Sequence, residues 1–348
     1  MAAVIELTML PAQDGDSLLL AYGEGSSPVR KHRMLIDGGR ASSYPLFAAL
    51  VAPEPIDVLV VTHVDQDHVL GVLALVNDPA RPALGDVWFN GYDHLVGDGL
   101  EHFGPRDGEL LTSALDRQGL AWNASFDGRT VLAGRRAELA GGAAVTVLSP
   151  DRGQLDRLRP FWEKECARHG LIPGREATPP ELPGFESLGA VAGIEELAAS
   201  RFVPDSSLTN ASSIGFLFEY GGRRLVFTGD GDDGRLARSL QPLAESEGGR
   251  LRIDALKVAH HGSAANLSKE LLALLDCPSY LISTSGARHH HPDDECMARI
   301  LKFGGPAKDI VFNYRDRAAK WQDAALQEQY GYRVLSPATS DGFITLTW

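Results

Sequence analysis

The sequence of 348 residues has few cysteines, a deficit of basic charge and no long apolar run. Its three cysteines, Cys166, Cys277 and Cys296, lie far apart without CxxC spacing, which excludes a disulfide framework and a thiolate zinc site and fits a reducing compartment. No apolar run is long enough to span a membrane, and the N-terminus has an early Glu6 and no basic region, unlike a signal peptide. The sequence therefore predicts a cytoplasmic protein without membrane association.

Acidic residues outnumber basic ones. The chain has 46 aspartates and glutamates against 33 lysines and arginines, a formal net charge of −13. Such a balance argues against a general basic groove for duplex nucleic acid, although a local basic patch is compatible with it. With 44% hydrophobic and 23% charged residues, the composition is that of a globular protein and excludes disorder throughout, collagen and coiled coil.

Short β-rich runs alternate with helical runs in both halves of the chain. Residues 58–61 form a continuous apolar run, which is typical of a strand buried on both faces, and residues 68–77 have apolar positions at helical spacing. In the second half, Gly221 and Gly222 separate two β-rich runs and predict a hairpin, and Arg317–Gln329 predicts one helix. Two β-led halves with helices outside predict an α/β fold, a four-layer αββα sandwich over residues 1–348 as a single domain.

Residues 93–204 between these halves have weaker strand signals and predict an insertion or cap. The stretch Glu101–Gly170 carries ten acidic and ten basic residues, so it is neutral where the whole chain is acidic. The Pro/Gly/Glu-rich stretch Ile172–Ser200 predicts a mobile loop over the substrate cleft. One group of basic residues is either a solvated helix face or a surface for an anionic substrate: Arg152, Arg157, Arg159 and Arg168.

The densest functional signal directly follows the buried strand of residues 58–61. His63, Asp65, Asp67 and His68 place two imidazoles and two carboxylates within six residues. Capping of the following helix requires only one acceptor. A loop fixed by a strand at one end and a helix at the other can aim these side chains at one point, so the pattern predicts a metal site.

This segment resembles the HxHxDH motif of the metallo-β-lactamase superfamily of hydrolases, with Asp65 in place of the second histidine. The form HxDxDH is similar to the branch that contains the cytoplasmic hydrolase domain of bacterial DNA-uptake channel proteins. Five further segments, in the same order along the chain, resemble motifs of that branch. They are DGDSL at 14–18, IDGG at 36–39, TGD at 228–230, KVAHHGS at 257–263 and HHHP at 289–292.

The resemblance implies a centre of two divalent metal ions bridged by Asp230. Two candidates for the last histidine ligand, His260 and His291, stay open, with His289 as a fallback. Asn210 stands where many members have a further histidine, so the carboxylate-rich shell favours manganese or magnesium relative to an all-histidine zinc site, with zinc still open. The implied metal ligands are His63, Asp65, Asp67, His68, Asp230, His260 and His291.

The implied activity is metal-dependent hydrolysis, with a phosphodiester such as single-stranded nucleic acid as substrate. Asp67 is expected to orient or deprotonate the attacking water and His261 to protonate the leaving oxygen. Lys257 is equally compatible with a phosphate contact and with an exposed strand charge. The alternatives are a lactonase or other ester hydrolase, and an idle partner module of a nuclease or ATPase that docks through the insertion. The expected substrate contacts are Asn210, Ser212, Lys257 and Ser263.

Overall fold

A computed structural model of the protein describes residues 2–25, 31–96, 106–168, 193–339 and 342–348. Most of the strands lie in two large sheets. Within the described residues, the strands are β1 (Ala3–Met9), β2 (Leu18–Glu24), β3 (His32–Ile36), β4 (Ile56–Val60), β5 (Leu84–Trp88), β6 (Ala121–Trp122), β7 (Arg136–Glu138), β8 (Ala144–Ser149), β9 (Gly215–Tyr220), β10 (Arg223–Phe227), β11 (Leu251–Arg252), β12 (Ala255–Lys257), β13 (Leu275–Asp276), β14 (Ser279–Ile282), β15 (Lys308–Phe312), β16 (Tyr332–Leu335) and β17 (Ile344–Thr347).

The helices pack mainly on the outer faces of the two sheets. In the described part of the chain, no helix has both the length and the apolar character needed to cross a membrane. The helices are α1 (Tyr44–Val51), α2 (Gln66–Asn77), α3 (Tyr92–Val96), α4 (Arg106–Gln118), α5 (Arg152–Arg168), α6 (Ile194–Ala199), α7 (Leu208–Ala211), α8 (Asp233–Ser246), α9 (Lys269–Ala273), α10 (Asp294–Phe303), α11 (Arg315–Ala319) and α12 (Ala324–Tyr330).

Parallel strands at the centre of each sheet determine where the functional loops meet. The first sheet has the order β17-β1-β2-β3-β4-β5-β6 and the second β16-β15-β14-β12-β10-β9-β8-β7, while β11 and β13 form a separate pair. Strand β3 is parallel to β4, and β10 is parallel to β12. Because parallel strands end at the same edge of a sheet, the loops after β3 and β4 lie side by side, as do those after β10 and β12.

Three apolar clusters fill the three interfaces of the sandwich. In β4, Val58 and Val60 face the second sheet, whereas Leu59 and the following Val61 pack under the helices of the first sheet. This alternation explains why the run is apolar at every position, and it confirms the strand buried on both faces. The four-layer αββα sandwich predicted from the sequence is thus the fold of the protein.

The hairpin prediction is confirmed, and the prediction of one helix near the C-terminus is wrong. Gly221 and Gly222 both have positive φ, at 57° and 78°, and join the antiparallel strands β9 and β10. The predicted helix Arg317–Gln329 is instead two helices, α11 and α12. The break arises because the Asp323 side chain accepts a hydrogen bond from the backbone N–H of Leu326 and so starts a new helix.

The described parts of residues 93–204 contribute to the sandwich itself. Strand β6 lies at the edge of the first sheet, and β7 and β8 lie at the edge of the second. Helix α6 packs against α10, with Ile194 and Ala198 buried in the core. The predicted loop Ile172–Ser200 falls outside the described residues as far as residue 192, and the remaining part is this helix.

The arginines of the insertion differ in their surroundings. Arg152 donates hydrogen bonds to the carbonyl oxygen of His94 and to Thr130 Oγ1, so it fixes neighbouring backbone. Arg157 and Arg159 are exposed on α5. The side chain of Arg168 lies outside the described residues. The predicted role of this group in substrate binding therefore concerns Arg157 and Arg159.

A contact between two glycines brings α2 onto the loop after β3. A Cβ atom at Gly71 would overlap the carbonyl oxygen of Gly38, and one at Gly38 would overlap the backbone of Gly71 and Val72. The close approach also lets Gly38 N–H donate to the carbonyl oxygen of His68 at 3.0 Å and Gly71 N–H donate to that of Gly39 at 2.8 Å. The first turn of α2 is thereby held against the loop that carries Asp37.

We expect Gly71→Ala to lower the free energy of unfolding by about 1–3 kcal/mol, because the added methyl group has no room against Gly38. Gly234→Ala in α8 is the matched control, since its Cβ would meet only ordinary contacts with Arg238 and Asp232. This control is expected to be neutral or slightly stabilising. Urea denaturation of both metal-free variants measures the difference. Equal stability of the two variants would show that the contact is not tight.

Candidate metal centre

Three loops at one edge of the sandwich supply the predicted metal ligands that converge. His63 lies just after β4, Asp65 is the N-cap residue of α2, and Asp67 and His68 lie in its first turn. Asp230 follows β10 in the second sheet. The KVAHHGS segment, with His260 and His261, follows β12, which is the parallel neighbour of β10. The order of strands therefore brings together residues separated by almost 200 positions.

One carboxylate oxygen lies at the centre of these side chains. Asp230 Oδ2 is 3.4 Å from His68 Nε2, 3.6 Å from His261 Nε2, 3.7 Å from His260 Nε2 and 3.9 Å from His63 Nε2. Four imidazole nitrogens thus converge on a single aspartate from both sheets.

The Nδ1 atoms of His63 and His68 are fixed through Asp37 and Thr62. His68 Nδ1 donates to Asp37 Oδ2 at 2.8 Å. Thr62 Oγ1 donates its one hydrogen to the same carboxylate at 2.7 Å, so Thr62 Oγ1 accepts from His63 Nδ1 at 3.0 Å. With both Nδ1 atoms protonated, a neutral imidazole at either position presents an Nε2 lone pair to Asp230.

His260 and His261 are adjacent but hold their rings differently. Both have left-handed backbone, with φ of 47° and 55°, and their rings are 74° apart. His261 Nδ1 donates to the carbonyl oxygen of Ser283 at 2.9 Å, and His260 Nδ1 lies 3.1 Å from Asn266 Oδ1. The strained backbone allows consecutive residues to direct both Nε2 atoms towards Asp230.

The electrostatics of the cluster favour positive charge beside Asp230. Burial opposes protonation of His68, but the carboxylates of Asp230 and Asp37 outweigh it and raise the pKa of His68 well above its ordinary value. Burial likewise opposes protonation of His261, yet Asp230 and Asp16 raise its pKa to about 10. Burial acts against ionisation of Asp230, but the surrounding imidazoles hold its pKa well below the ordinary value. Protons on the Nε2 atoms or divalent cations would supply this positive charge.

The donor set fits metal ions. Within the described residues, His63 Nε2 and Asp230 Oδ1 are buried and have no hydrogen-bond partner, which is unusual for polar atoms in an interior. Four overlapping groups of metal-ligating atoms come together here in the described part of the chain. They are His63, His68 and Asp230; Asp67, His68 and His261; Asp16, Asp37 and His68; and Asp16, Asp230 and His261. Mixed imidazole and carboxylate ligands suit zinc and manganese.

Exposure separates a buried floor from an accessible rim. The side chains of His63, His68 and His261 are at most 2% exposed and that of Asp230 is 4% exposed. The side chains of Asp65, at 38%, and His260, at 25%, form the open side. Within the described residues, the cluster is therefore open on the side of this rim.

His291 lies beside the cluster rather than at its centre. Its ring is 5.2 Å from the ring of His260, and its Nδ1 lies 3.1 Å from Asp293 Oδ1. Among the described residues, no group of converging metal-ligating atoms includes His291 or His289. The geometry thus favours His261 as the histidine that completes the set with His68 and Asp67, although the sequence suggested a proton-donating role for it.

Three of the predicted substrate contacts face the protein interior. Lys257 is 1% exposed, and its Nζ lies 2.7 Å from Asp16 Oδ2, so the alternative of an exposed strand charge is wrong. Ser212 Oγ donates to the carbonyl oxygen of Thr209, and Ser263 Oγ accepts from a backbone N–H. These contacts support structural roles for all three side chains.

Asn210, the fourth predicted substrate contact, is 5% exposed and stands behind His260. Its Nδ2 donates to Asp205 Oδ2 at 2.7 Å and lies 3.3 Å from His260 Nδ1. The amide of Asn210 therefore lies next to a candidate metal ligand rather than in the open part of the cleft.

Three carboxylates of the site were missing from the residues predicted by sequence. The sequence could have indicated Asp37 as a site residue, because it follows β3, which is the parallel neighbour of the strand before His63. Asp16 lies in the DGDSL segment, with Oδ1 3.4 Å from His261 Nδ1, but its motif does not reveal the cross-sheet pair with Lys257. Asp205 has no sequence signal, because its contact with His260 spans 55 positions.

Residues 29–80, which carry Asp37 and the loop from His63 to His68, match the family model described as the metallo-β-lactamase superfamily. The fold is a metallo-β-lactamase fold. Ribonuclease Z of Pyrobaculum arsenaticum is 47% identical over 45 residues, which are 13% of this chain and 16% of ribonuclease Z. A solved structure of a CmlA β-hydroxylase mutant is similar over 99% of this chain and 54% of its own, with 15% identity and a TM-score of 0.43. The chain thus spans less than two thirds of both relatives.

Proposed function

We propose that this metallo-β-lactamase-fold protein is a binuclear metal hydrolase that acts on phosphodiesters. The observation that carries the proposal is the convergence of four histidine Nε2 atoms, between 3.4 and 3.9 Å, on Asp230 Oδ2. Each of these histidines has its Nδ1 within hydrogen-bond distance of a protein oxygen. Metal ligands in proteins are held in this way, through the ring nitrogen that faces away from the metal.

Two ligand sets share Asp230 in this proposal. His63, Asp65 and His260 form the first set, because His63 Nε2 is 3.7 Å from Asp65 Oδ2 and both imidazoles approach Asp230. The second set contains Asp67, His68 and His261, whose ligating atoms lie within 4.8 Å of one another. Divalent cations held there would lower the pKa of a bound water and polarise the substrate.

The roles of the protein residues follow from their exposure. The buried histidines keep bulk water away from the floor of the site, which strengthens electrostatic interactions there. The Asp67 side chain is 16% exposed and lies 3.7 Å from His261 Nε2. In this proposal, Asp67 orients the attacking water and accepts its proton.

Two observations support a phosphodiester as the substrate. The curated relative that matches over 45 residues is named ribonuclease Z, so a protein with a similar segment acts on RNA. The motifs from DGDSL to HHHP resemble the hydrolase domain of DNA-uptake channel proteins, which implies a single-stranded nucleic acid. The resemblance to this branch stays a prediction, as do two metals per chain.

Asp67→Asn is expected to lower kcat for a phosphodiester by on the order of 10²–10⁴-fold, because it removes both a proton acceptor and the carboxylate of the second ligand set. The measurement uses protein loaded with manganese or zinc, with bis(p-nitrophenyl) phosphate and single-stranded DNA and RNA as substrates. Asp78→Asn is the matched control, since Asp78 lies at the other end of α2 and bonds Tyr44. It is expected to retain full activity.

A panel of lactones and carboxylic esters, assayed with the same metal-loaded protein, decides between the alternatives. Cleavage of these esters without cleavage of phosphodiesters would make the protein an ester hydrolase and would contradict the proposed substrate. Two bound metals without activity on either class would support the idle partner module. Full activity of Asp67→Asn would exclude Asp67 as the general base.

A further inference from the structure

We infer that Asp205 is a positioning residue of the metal centre and acts through His260. This inference rests on the metal centre of the proposed function and assigns a role to a residue outside the motifs that define it. Asp205 lies between α6 and α7, on the segment that returns from residues 93–204 to the second sheet. Asp205 thereby connects that segment to the ligand set of His63, Asp65 and His260.

The carboxylate of Asp205 lies at the centre of a polar network behind His260. Asp205 Oδ2 accepts hydrogen bonds from Asn210 Nδ2 at 2.7 Å and from Asn266 Nδ2 at 3.3 Å, and it lies 3.5 Å from His260 Nδ1. Its other oxygen, Oδ1, accepts from the backbone N–H of Ser207 at 2.8 Å. Both oxygens are therefore fixed in direction, and the negative charge faces the outer nitrogen of the ring.

The same network fixes Asp205 relative to the loop that carries the histidine. The backbone N–H of Asp205 donates to the carbonyl oxygen of Ala265 at 3.1 Å. Arg299 in α10 donates to the carbonyl oxygens of Ala264 and Leu267 and also to Ser200 Oγ. The returning segment and the histidine loop are thus attached to each other and to one buried arginine.

His260 depends on this support more than the other three histidines do. Its side chain is 25% exposed, whereas those of His63, His68 and His261 are at most 2% exposed. Those three are held by Thr62, Asp37 and Ser283, which belong to the sandwich. For His260, the nearest carboxylate comes from the returning segment.

An anionic partner on the outer nitrogen orients a ligating imidazole and makes its other nitrogen a stronger donor to a metal. Asp205 supplies this charge at 3.5 Å from His260 Nδ1, while Asn266 Oδ1, whose side-chain amide also donates to Asp205, lies 3.1 Å from the same nitrogen. The His260 Nε2 atom lies 3.7 Å from Asp230. Loss of the charge is therefore expected to weaken the ligand set of His63, Asp65 and His260. The set of Asp67, His68 and His261 has no contact with Asp205 in the described structure and is expected to keep its metal.

The test is a titration of the metal-free protein with cobalt(II), followed through the visible absorption of the bound ion. Asp205→Asn is isosteric and partly exposed, so the variant is expected to fold. We expect it to bind one cobalt ion about 10–100-fold more weakly than the unmodified protein, with a changed spectrum for that ion. Asp205→Glu keeps the charge and is expected to recover part of the affinity. Asp323→Asn, at the N-cap of α12, is the matched control and is expected to bind as the unmodified protein does.

The outcomes separate this inference from the proposed function. Equal cobalt affinity and an equal spectrum for Asp205→Asn would overturn the role of Asp205 and leave the hydrolase proposal intact. Equal losses in Asp205→Asn and Asp205→Glu would show that the charge is not responsible, which also overturns it. Two bound cobalt ions without phosphodiesterase activity would remove the proposed function only, because the expected loss in Asp205→Asn is measured by binding. Failure of the unmodified protein to bind cobalt would remove both.

Discussion

Asp230→Ala is expected to abolish hydrolysis and to reduce the bound metal from two ions to at most one. The reason is that Asp230 Oδ2 is the only oxygen in the described structure that approaches the Nε2 atoms of all four histidines. Each ligand set therefore loses a carboxylate, and the set of His63, Asp65 and His260 loses the group that connects it to the other. Metal content by mass spectrometry and turnover of bis(p-nitrophenyl) phosphate measure the two effects.

The fold of the metal-free variant is expected to persist. Removal of Asp230 takes away a buried carboxylate with Oδ1 unpaired, and the buried His68 and His261, whose pKa it raises, then lose a proton instead of staying as unpaired cations. Asp233→Ala is the informative control, because Asp233 is also buried but accepts the backbone N–H of Ser268 at 2.7 Å. It is expected to lower the free energy of unfolding by about 1–3 kcal/mol while both metals stay bound.

The opposite pattern would contradict the bridging role of Asp230. An Asp230→Ala protein that retained two metals and turnover would exclude it. A large loss of stability in the metal-free form of this variant would show that Asp230 is a structural residue of the turn after β10.

Asp37→Ala has the second largest expected effect, because one buried carboxylate holds two ligands. Asp37 is fully buried and accepts from Thr62 N at 2.8 Å, from Thr62 Oγ1 at 2.7 Å and from His68 Nδ1 at 2.8 Å. Its loss leaves three donors without an acceptor and releases the rings of His68 and, through Thr62, His63. We expect the free energy of unfolding to fall by about 3 kcal/mol. We also expect the metal affinity to fall 10-fold or more, as is typical when a residue that hydrogen-bonds to a metal ligand is replaced.

Asp86→Ala distinguishes the loss of stability in Asp37→Ala from its loss of metal affinity. The carboxylate of Asp86 also accepts several hydrogen bonds, from Trp88 Nε1, from the backbone N–H of Ala124 and Ser125 and from Ser125 Oγ, but it contacts none of the histidines. It is expected to destabilise the protein to a similar extent and to keep both metals. Equal metal affinity in the Asp37 and Asp86 variants, measured by competition with a chelating dye, would refute the orienting role of Asp37.

The sequence determined the features that depend on neighbours along the chain. The apolar run at 58–61 predicted a strand buried on both faces, and Gly221-Gly222 predicted a hairpin, because strand pattern and turn chemistry are local. The loop from His63 to His68 could be placed for the same reason, since the end of β4 and the start of α2 fix it. Together with Asp230, which ends a predicted strand, this loop supplied most of the converging side chains.

Only the tertiary structure decided which residues join them from a distance. The sequence left His260 and His291 open as ligands and gave His261 another role. The approach of both His260 and His261 to Asp230 depends on left-handed backbone at these two consecutive residues, which the motif does not show. Lys257 could not be placed for a similar reason, because its partner Asp16 lies in the loop between β1 and β2 of the first sheet.

The support of His260 by Asp205 is the clearest example. The two residues are 55 positions apart and belong to no common motif, and their contact exists because the segment returning from the insertion passes behind the loop after β12. Hydrogen bonds between side chains from different elements depend on how those elements pack. The sequence pattern therefore predicts the helices and strands. It does not predict which of their polar side chains come within hydrogen-bonding distance, because that depends on how the helices and strands pack.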